Sequence, residues 1–382
     1  MSPITAPGNN GDVLDFQSTQ RLSTQAILAI DEAFAKGWLE PQKIHHGSAH
    51  LRNLLNEARE SIAANLMIPK DSLEFVGELG FGYWSALAGS VKNFSGTFIH
   101  GVTDRQVVHG FARELSHSGL NVKTLATDKS GHLAYQSEIP EIQSDSDQFV
   151  LFWQHTNRET GIQQRDLDCP IPSNSLLIAD MTAAFHVADK PRDWGVALWD
   201  SRSFGGPEGL AILAIRPDSI WQSPIPPIDQ RRLFGSYSKP LLLLTAIALD
   251  ERVKEAERES RYLQDLRREL REMICHRITG VKIVGDSEKQ YPDKQDPRQL
   301  ALVADGVAAE EILRQLEKSG VLIDAGSACG AGALSPSHVL EAMGFGESGH
   351  LRITLRATHT VRDLERLVEL LAREIELFRS ID

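Results

Sequence analysis

Seven short apolar runs in the first two thirds of the chain limit its fold more than any other feature. They read LEFVG, GTFIHG, NVKTLAT, FVLFWQHT, SLLIADMT, WGVALWD and LAILAIRP. Most are continuous rather than alternating, the pattern of strands covered on both faces. Amphipathic segments lie between several of them, such as Arg105 to Ser118. Strands alternating with helices predict an α/β fold built on a mostly parallel sheet. Ligands of such sheets sit beyond the carboxyl ends of the strands, so the residues just after each run are the ones to inspect. Two helical patterns precede the runs, the second in AHLRNLLNEARESIAANL. After the proline-rich WQSPIPPIDQRR a long helix is expected from about Pro240 to Arg277. An α+β unit follows: VKIVG, LALVAD, AAEEILRQLEKSG, VLIDAG, a glycine-rich loop, LRITL and a closing helix to Phe378.

A chain of 382 residues is too long for one small core. The reading divides it into a lead-in (1–22), a large α/β domain (23–240), and a bridging helix with a small α+β domain (241–382), joined by part of 1–40. The formal charge of −12, from 40 Lys+Arg against 52 Asp+Glu, argues against a nucleic-acid partner, which needs a basic surface. No apolar run approaches the roughly 20 residues of a membrane span. MSPITAPGNNGD lacks the basic start and apolar core of a secretory signal. Cys169, Cys275 and Cys329 are too few and too widely spaced for a disulfide framework or a zinc site. Cys169 and Cys275 are read as structural, and a reduced, cytoplasmic setting is expected. His45, His46 and His50 cluster without a further ligand type, so no metal is expected.

Three places can carry chemistry. Asp180 ends a buried strand, where a carboxylate is costly unless it meets a cation or a donor. DSRSFGGPEG, residues 200–209, ends the next strand in a glycine turn. Cys329 lies in a loop of Gly, Ala and Ser, either as a reactive thiol or as a small packed residue. Beyond it Ser335 and Pro336 are expected to open a short helix that stops at Gly344.

Read together, these segments resemble the cysteine desulfurases of the class V aminotransferase group, within the fold-type-I pyridoxal-phosphate superfamily. DAGSACGAGALSPSHVLEAMG is similar to that family's SSGSAC loop and the helix after it. HTNRETGIQQ resembles its HVNNETG segment, KIHHGSAHLRNLLNEARESIA its opening helix, and FGGPEGLAIL its K-x-x-G-P-K-G turn. The resemblance implies a seven-stranded, mostly parallel sheet with a small α+β domain, and a homodimer. It also implies roles. Cys329 falls on the sulfur-accepting cysteine and Asp180 on the acid that holds the pyridine nitrogen. Ser203 falls where the Schiff-base lysine belongs, with Arg202 in place of a histidine. VGELGFG puts Glu78 and Leu79 where small phosphate-binding residues belong, and a carboxylate there repels a phosphate. Arg105 falls near the ring-stacking histidine and Arg158 on an asparagine beside the cofactor. Arg352 matches a family arginine. The substrate-carboxylate arginine falls at Ala357, with Arg356 one place off. Ser236 and Ser238 stand in for hydroxyls lent by a neighbouring subunit.

Three functional readings follow. In the first, the chain is a desulfurase-like homologue without pyridoxal-phosphate chemistry, with no cofactor expected; it acts as a partner or regulatory subunit, or as a sulfur acceptor through Cys329. In the second, it is a working pyridoxal-phosphate enzyme. In the third, Arg105, Arg158 and Arg202 bind a small anion. Asp180 is expected to pair with Arg202 or Arg105.

Overall fold

The computed structural model describes residues 13–135, 148–167, 170–226, 232–233, 237–285, 295–325, 337–346 and 349–381. All seven apolar runs are strands of one sheet: β2 (Leu73–Val76), β3 (Thr97–Gly101), β4 (Asn121–Leu125), β5 (Phe149–Gln154), β6 (Leu176–Asp180), β7 (Val196–Asp200) and β8 (Ala211–Ile215). Their order is β2-β8-β7-β6-β5-β3-β4, and β8 alone in this sheet runs against its neighbours. Every residue of β5, β6, β7 and β8 is buried, as continuous apolar runs require.

Helices cover both faces. α3 (His46–Asn65) turns Leu51, Leu55, Ala58 and Ile62 inward, at the spacing of one helical face. α4 (Leu79–Ser90) and α5 (Gln106–His117) pack on the other face, where Tyr83, Leu87 and Val108 join Phe98, Phe152 and Leu198. Two short helices, α1 (Thr24–Leu28) and α2 (Ile30–Gly37), precede α3.

The expected long helix is α6 (Lys239–Arg277), with Ser238 as its N-cap and Pro240 in its first turn. Leu242 to Leu249 belong to the core of the large sheet, and Leu263 to Ile274 to that of a second sheet. One rigid rod of about 1.5 Å per residue thus serves both halves. The second sheet has the order β12-β13-β10-β9, with β9 (Val281–Ile283), β10 (Gln299–Ala304), β12 (Asp324–Ala325) and β13 (His350–Thr354). α7 (Ala309–Lys318) and α9 (Val361–Ile381) cover it. The lead-in is not wholly separate, because β1 (Leu14–Asp15) pairs with β11 (Val321–Leu322). Phe16 is fully buried in the small core. Cys275, read as structural, is exposed on α6 instead. The short helix α8 (His338–Ala342) is capped by Ser337, whose hydroxyl accepts from the Leu340 amide. That corrects the expected start, whose Ser335 and Pro336 lie outside the described residues. Gly344 stops the helix with φ +77, as expected.

A buried ion pair joins the halves. Arg298, just before β10, donates to both Asp296 oxygens at 2.9 and 2.6 Å, to the Ala183 carbonyl at 3.0 Å and to the Ser203 carbonyl at 3.1 Å. Arg298→Ala would leave the fully buried Asp296 carboxylate without its cation, which costs about 3–5 kcal/mol. We expect a clear fall in the urea midpoint, with Asp296→Ala/Arg298→Met recovering much of the loss. His100, buried on β3, is an acid-sensitive group. Burial and the neighbouring His109 push its pKa down to about 4 from 6.5. The unfolded chain therefore binds the extra proton first, and stability falls as pH drops from about 6.5 towards 4. His100→Gln should remove on the order of 3 kcal/mol of that pH dependence, read as a flatter Tm–pH profile.

Candidate functional site

The parallel strands set the position of the site. The chain steps outward from β3 to β4, then returns to β5 and proceeds through β6 and β7 in the opposite direction. The crevice at that reversal lies between the ends of β3 and β5. Asp104 and Arg105 follow β3, Asn157 and Arg158 follow β5, Asp180 ends β6 and Asp200 ends β7. The Asn157 amide spans the crevice, donating to the Thr103 carbonyl and the Gln154 side chain, both at 3.0 Å.

Asp180 is 1% exposed and fully engaged. One oxygen accepts from the Thr182 amide at 2.9 Å and the Thr182 hydroxyl at 2.6 Å. The other accepts from the Tyr83 hydroxyl at 2.7 Å and faces Arg105 Nε at 3.5 Å. Arg105 also donates to the Thr182 hydroxyl at 2.6 Å, and its guanidinium lies over the Tyr83 ring at 5.4 Å. The pairing with Arg105 is the expected one, while Arg202 belongs elsewhere. Tyr83 was not anticipated. It sits in the apolar stretch LGFGYWSALAGS, where nothing local marks it as a partner for a residue 97 positions away. Burial, above all, pushes its phenol well above the ordinary tyrosine value, so it stays a proton donor to the carboxylate.

The DSRSFGG turn is a single 3₁₀ turn, Ser201–Phe204. Asp200 caps it through the Arg202 amide, and Gly205 closes it at φ +78, a conformation that suits glycine. The Ser203 hydroxyl donates to the Asp200 carbonyl at 2.8 Å. Arg202 grips both oxygens of Asp200 at 3.0–3.2 Å and reaches Glu208 at 3.2 Å. At the start of α4 the Glu78 carboxylate accepts from the Phe81 amide at 2.9 Å, so a side-chain anion occupies the helix N-terminus.

Arg352 on β13 pairs with Asp324 at 3.1 Å and donates to the Arg158 carbonyl at 3.2 Å. Arg356 donates to the carbonyls of Asp15, Gln17 and Thr19, and pairs with the Asp15 carboxylate at 3.3 Å. It clamps the N-terminal segment and lines a cavity of about 500 Å³ beside it. Ser238 caps α6. Ser236 and Cys329 lie outside the described residues. Two lysines in this half of the chain are engaged elsewhere: Lys190 donates to the Leu66 carbonyl at 2.8 Å and Lys239 faces Glu40 at 3.6 Å.

A cavity of about 80 Å³ remains between Ser18–Gln20, Arg158, Arg202, Ser203, Gln299 and Thr354. No lysine lines it among the described residues.

No family model matches the sequence. Individual proteins do. The chain is 24% identical over 391 residues to the cysteine desulfurase IscS of Dictyoglomus turgidum, covering 96% of this chain and 95% of that one. It is 25% identical over 384 residues to the cysteine desulfurase IscS 1 of Archaeoglobus fulgidus, covering 96% and 97%. Among solved structures, a NifS-like protein superposes with a TM-score of 0.79 at 18% identity, covering 96% of this chain and all (100%) of that one. The apo cysteine desulfurase of Thermococcus onnurineus NA1 superposes at 0.75 and 14% identity, covering 96% and 95%. The structural likeness establishes the fold, and the sequence likeness extends along nearly the whole chain. Along nearly its whole length the chain is thus similar in sequence to cysteine desulfurases, and it has the fold of NifS-like proteins.

Proposed function

We propose that this chain is a cysteine desulfurase homologue that has lost pyridoxal-phosphate chemistry and serves as a sulfur acceptor, through Cys329, or as a partner subunit. One observation carries the reading: the acid that should hold the pyridine nitrogen is already saturated by Tyr83, Thr182 and Arg105. A pyridine nitrogen approaching Asp180 would have to displace a buried phenol and a guanidinium. Three further features point the same way. Position 203 offers a hydroxyl bonded to backbone, where an imine needs a primary amine. The Glu78 carboxylate takes the helix start that would hold a phosphate. The cavity of about 80 Å³ is far below the roughly 300 Å³ at which cofactor-sized pockets begin. The residues present therefore do not fit the coenzyme. The competing reading, an active desulfurase, draws on the names of the sequence relatives.

Support for a role of Cys329 comes from the segments that flank its loop. Asp324, before it, is held by Arg352, which also donates to the Arg158 carbonyl. Ser337, after it, donates to the Glu159 carboxylate. Both flanks thus fasten beside Arg158 and Glu159, next to the crevice.

Among the described residues no helix is long and apolar enough to cross a membrane. A homodimer is the partner we favour. Ile27, Leu28, Phe34, Trp38 and Ile44 are all more than half exposed within one stretch of α1, α2 and the loop that follows, more apolar surface than an isolated chain readily leaves wet.

Two experiments test these readings. After incubation with pyridoxal phosphate and gel filtration, the protein should be colourless, with no lysine adduct after borohydride treatment. A yellow protein whose band borohydride abolishes would establish the active-enzyme reading instead. By light scattering the chain should have twice its monomer mass, and Leu28→Glu/Trp38→Glu should halve it while leaving the circular dichroism spectrum unchanged. A monomeric parent chain would refute the dimer.

A further inference from the structure

The arginines around the crevice pair off one by one. Arg105 faces Asp180, Arg202 faces Asp200, Arg298 faces Asp296, Arg352 faces Asp324 and Arg356 faces Asp15. Arg158 is the exception. Its guanidinium is half-buried and has no hydrogen-bond or ion-pair partner among the described residues. Desolvation and the neighbouring Arg105 disfavour its charged form, while Asp200, itself gripped by Arg202, favours it. An arginine stays protonated, so a positive charge with no ion pair of its own among the described residues faces the cavity.

The same cavity holds two more unsatisfied groups. Gln299 Oε1 and Thr354 Oγ1 are buried and have no partner. They stand opposite each other across β10 and β13, in register, and both line the space beside Arg158. Buried polar atoms are rarely left unpaired, so two of them beside a half-buried guanidinium call for an occupant. A threonine hydroxyl can donate, and a glutamine amide can turn to present its NH₂. Three donors can therefore converge on one acceptor.

We propose that this cavity binds a small carboxylate, held by the Arg158 guanidinium and by donors from Gln299 and Thr354. A planar guanidinium matches a carboxylate in a two-point pairing. One surplus positive charge suits a monoanion. A dianion would overcompensate it and face Asp200, which also lines the cavity. At about 80 Å³ the space takes an acetate-sized group and excludes a coenzyme. The inference rests on the coenzyme-free reading of the crevice, because a cofactor seated there would compete for the same volume.

Thermal unfolding of the full chain in sodium acetate, against sodium chloride and sodium sulfate at equal ionic strength, tests it. Acetate should raise Tm saturably, by roughly 3–5 °C at a hundredfold excess over its dissociation constant, with chloride and sulfate well below that. Arg158→Gln should abolish the shift and, by removing an unpaired buried cation, should not lower Tm in chloride. Arg158→Lys should restore part of it. Equal shifts in acetate and chloride, or an acetate shift that survives in Arg158→Gln, would overturn the site. A larger effect from sulfate would overturn the carboxylate assignment. An absorption spectrum of the same samples with pyridoxal phosphate separates the two readings. An aldimine band sinks the coenzyme-free reading, whereas a missing acetate shift without that band sinks only the carboxylate site.

Discussion

A carboxylate at the end of the central, fully buried strand of the sheet is the constraint around which this crevice is organised. Asp180 cannot keep its charge in that position without donors and a cation. In this chain they come from three separate elements: the turn after its own strand supplies Thr182, α4 supplies Tyr83, and the start of α5 supplies Arg105. Each contact draws an element toward the carboxyl edge of the sheet. The result is a neutral knot where a more open crevice would have admitted a ligand ring.

The surrounding charges obey the same logic. Arginine after arginine meets an acid of its own, and one of those pairs ties the halves of the molecule together. Arg298 reaches from the small sheet to the carbonyls of Ala183 and Ser203, while the half-buried Arg356 fastens the N-terminal segment. Isolated surface pairs contribute little, but Arg298 and Asp296 are buried and hydrogen-bonded, so loss of one partner leaves an orphaned charge. Against that background the unpaired guanidinium of Arg158 stands out. Among the described residues it is a cation with no ion-pair partner, next to two buried polar atoms that also lack one.

Much of this was readable in the residues. The seven apolar runs became seven strands of one sheet because a fully covered strand leaves little choice of residue. The long amphipathic stretch from Lys239 became one helix because no breaker interrupts it after Pro240. Glycine at 205 marked a tight turn, and its positive φ is the reason. Other features were not readable. Ser337 rather than Ser335 caps the helix after the cysteine loop, since two nearby serines offer the same hydroxyl and only the backbone path selects one. The contacts of Arg356 with backbone carbonyls more than 330 residues away in the chain could not be read from its own surroundings in the sequence.

The sequence alone determined the layered α/β architecture, the site's location beyond the strand ends, and the absence of an amine at position 203, because covalent identity and apolar periodicity are local properties. Only the tertiary structure decided which charges meet. Tyr83, Arg105 and Asp180 lie far apart along the chain, and their neighbours are set by how the strands are ordered and how the helices lie on them. That ordering packed Tyr83, Thr182 and Arg105 around Asp180 and left the Arg158 guanidinium beside the cavity with no ion pair of its own among the described residues.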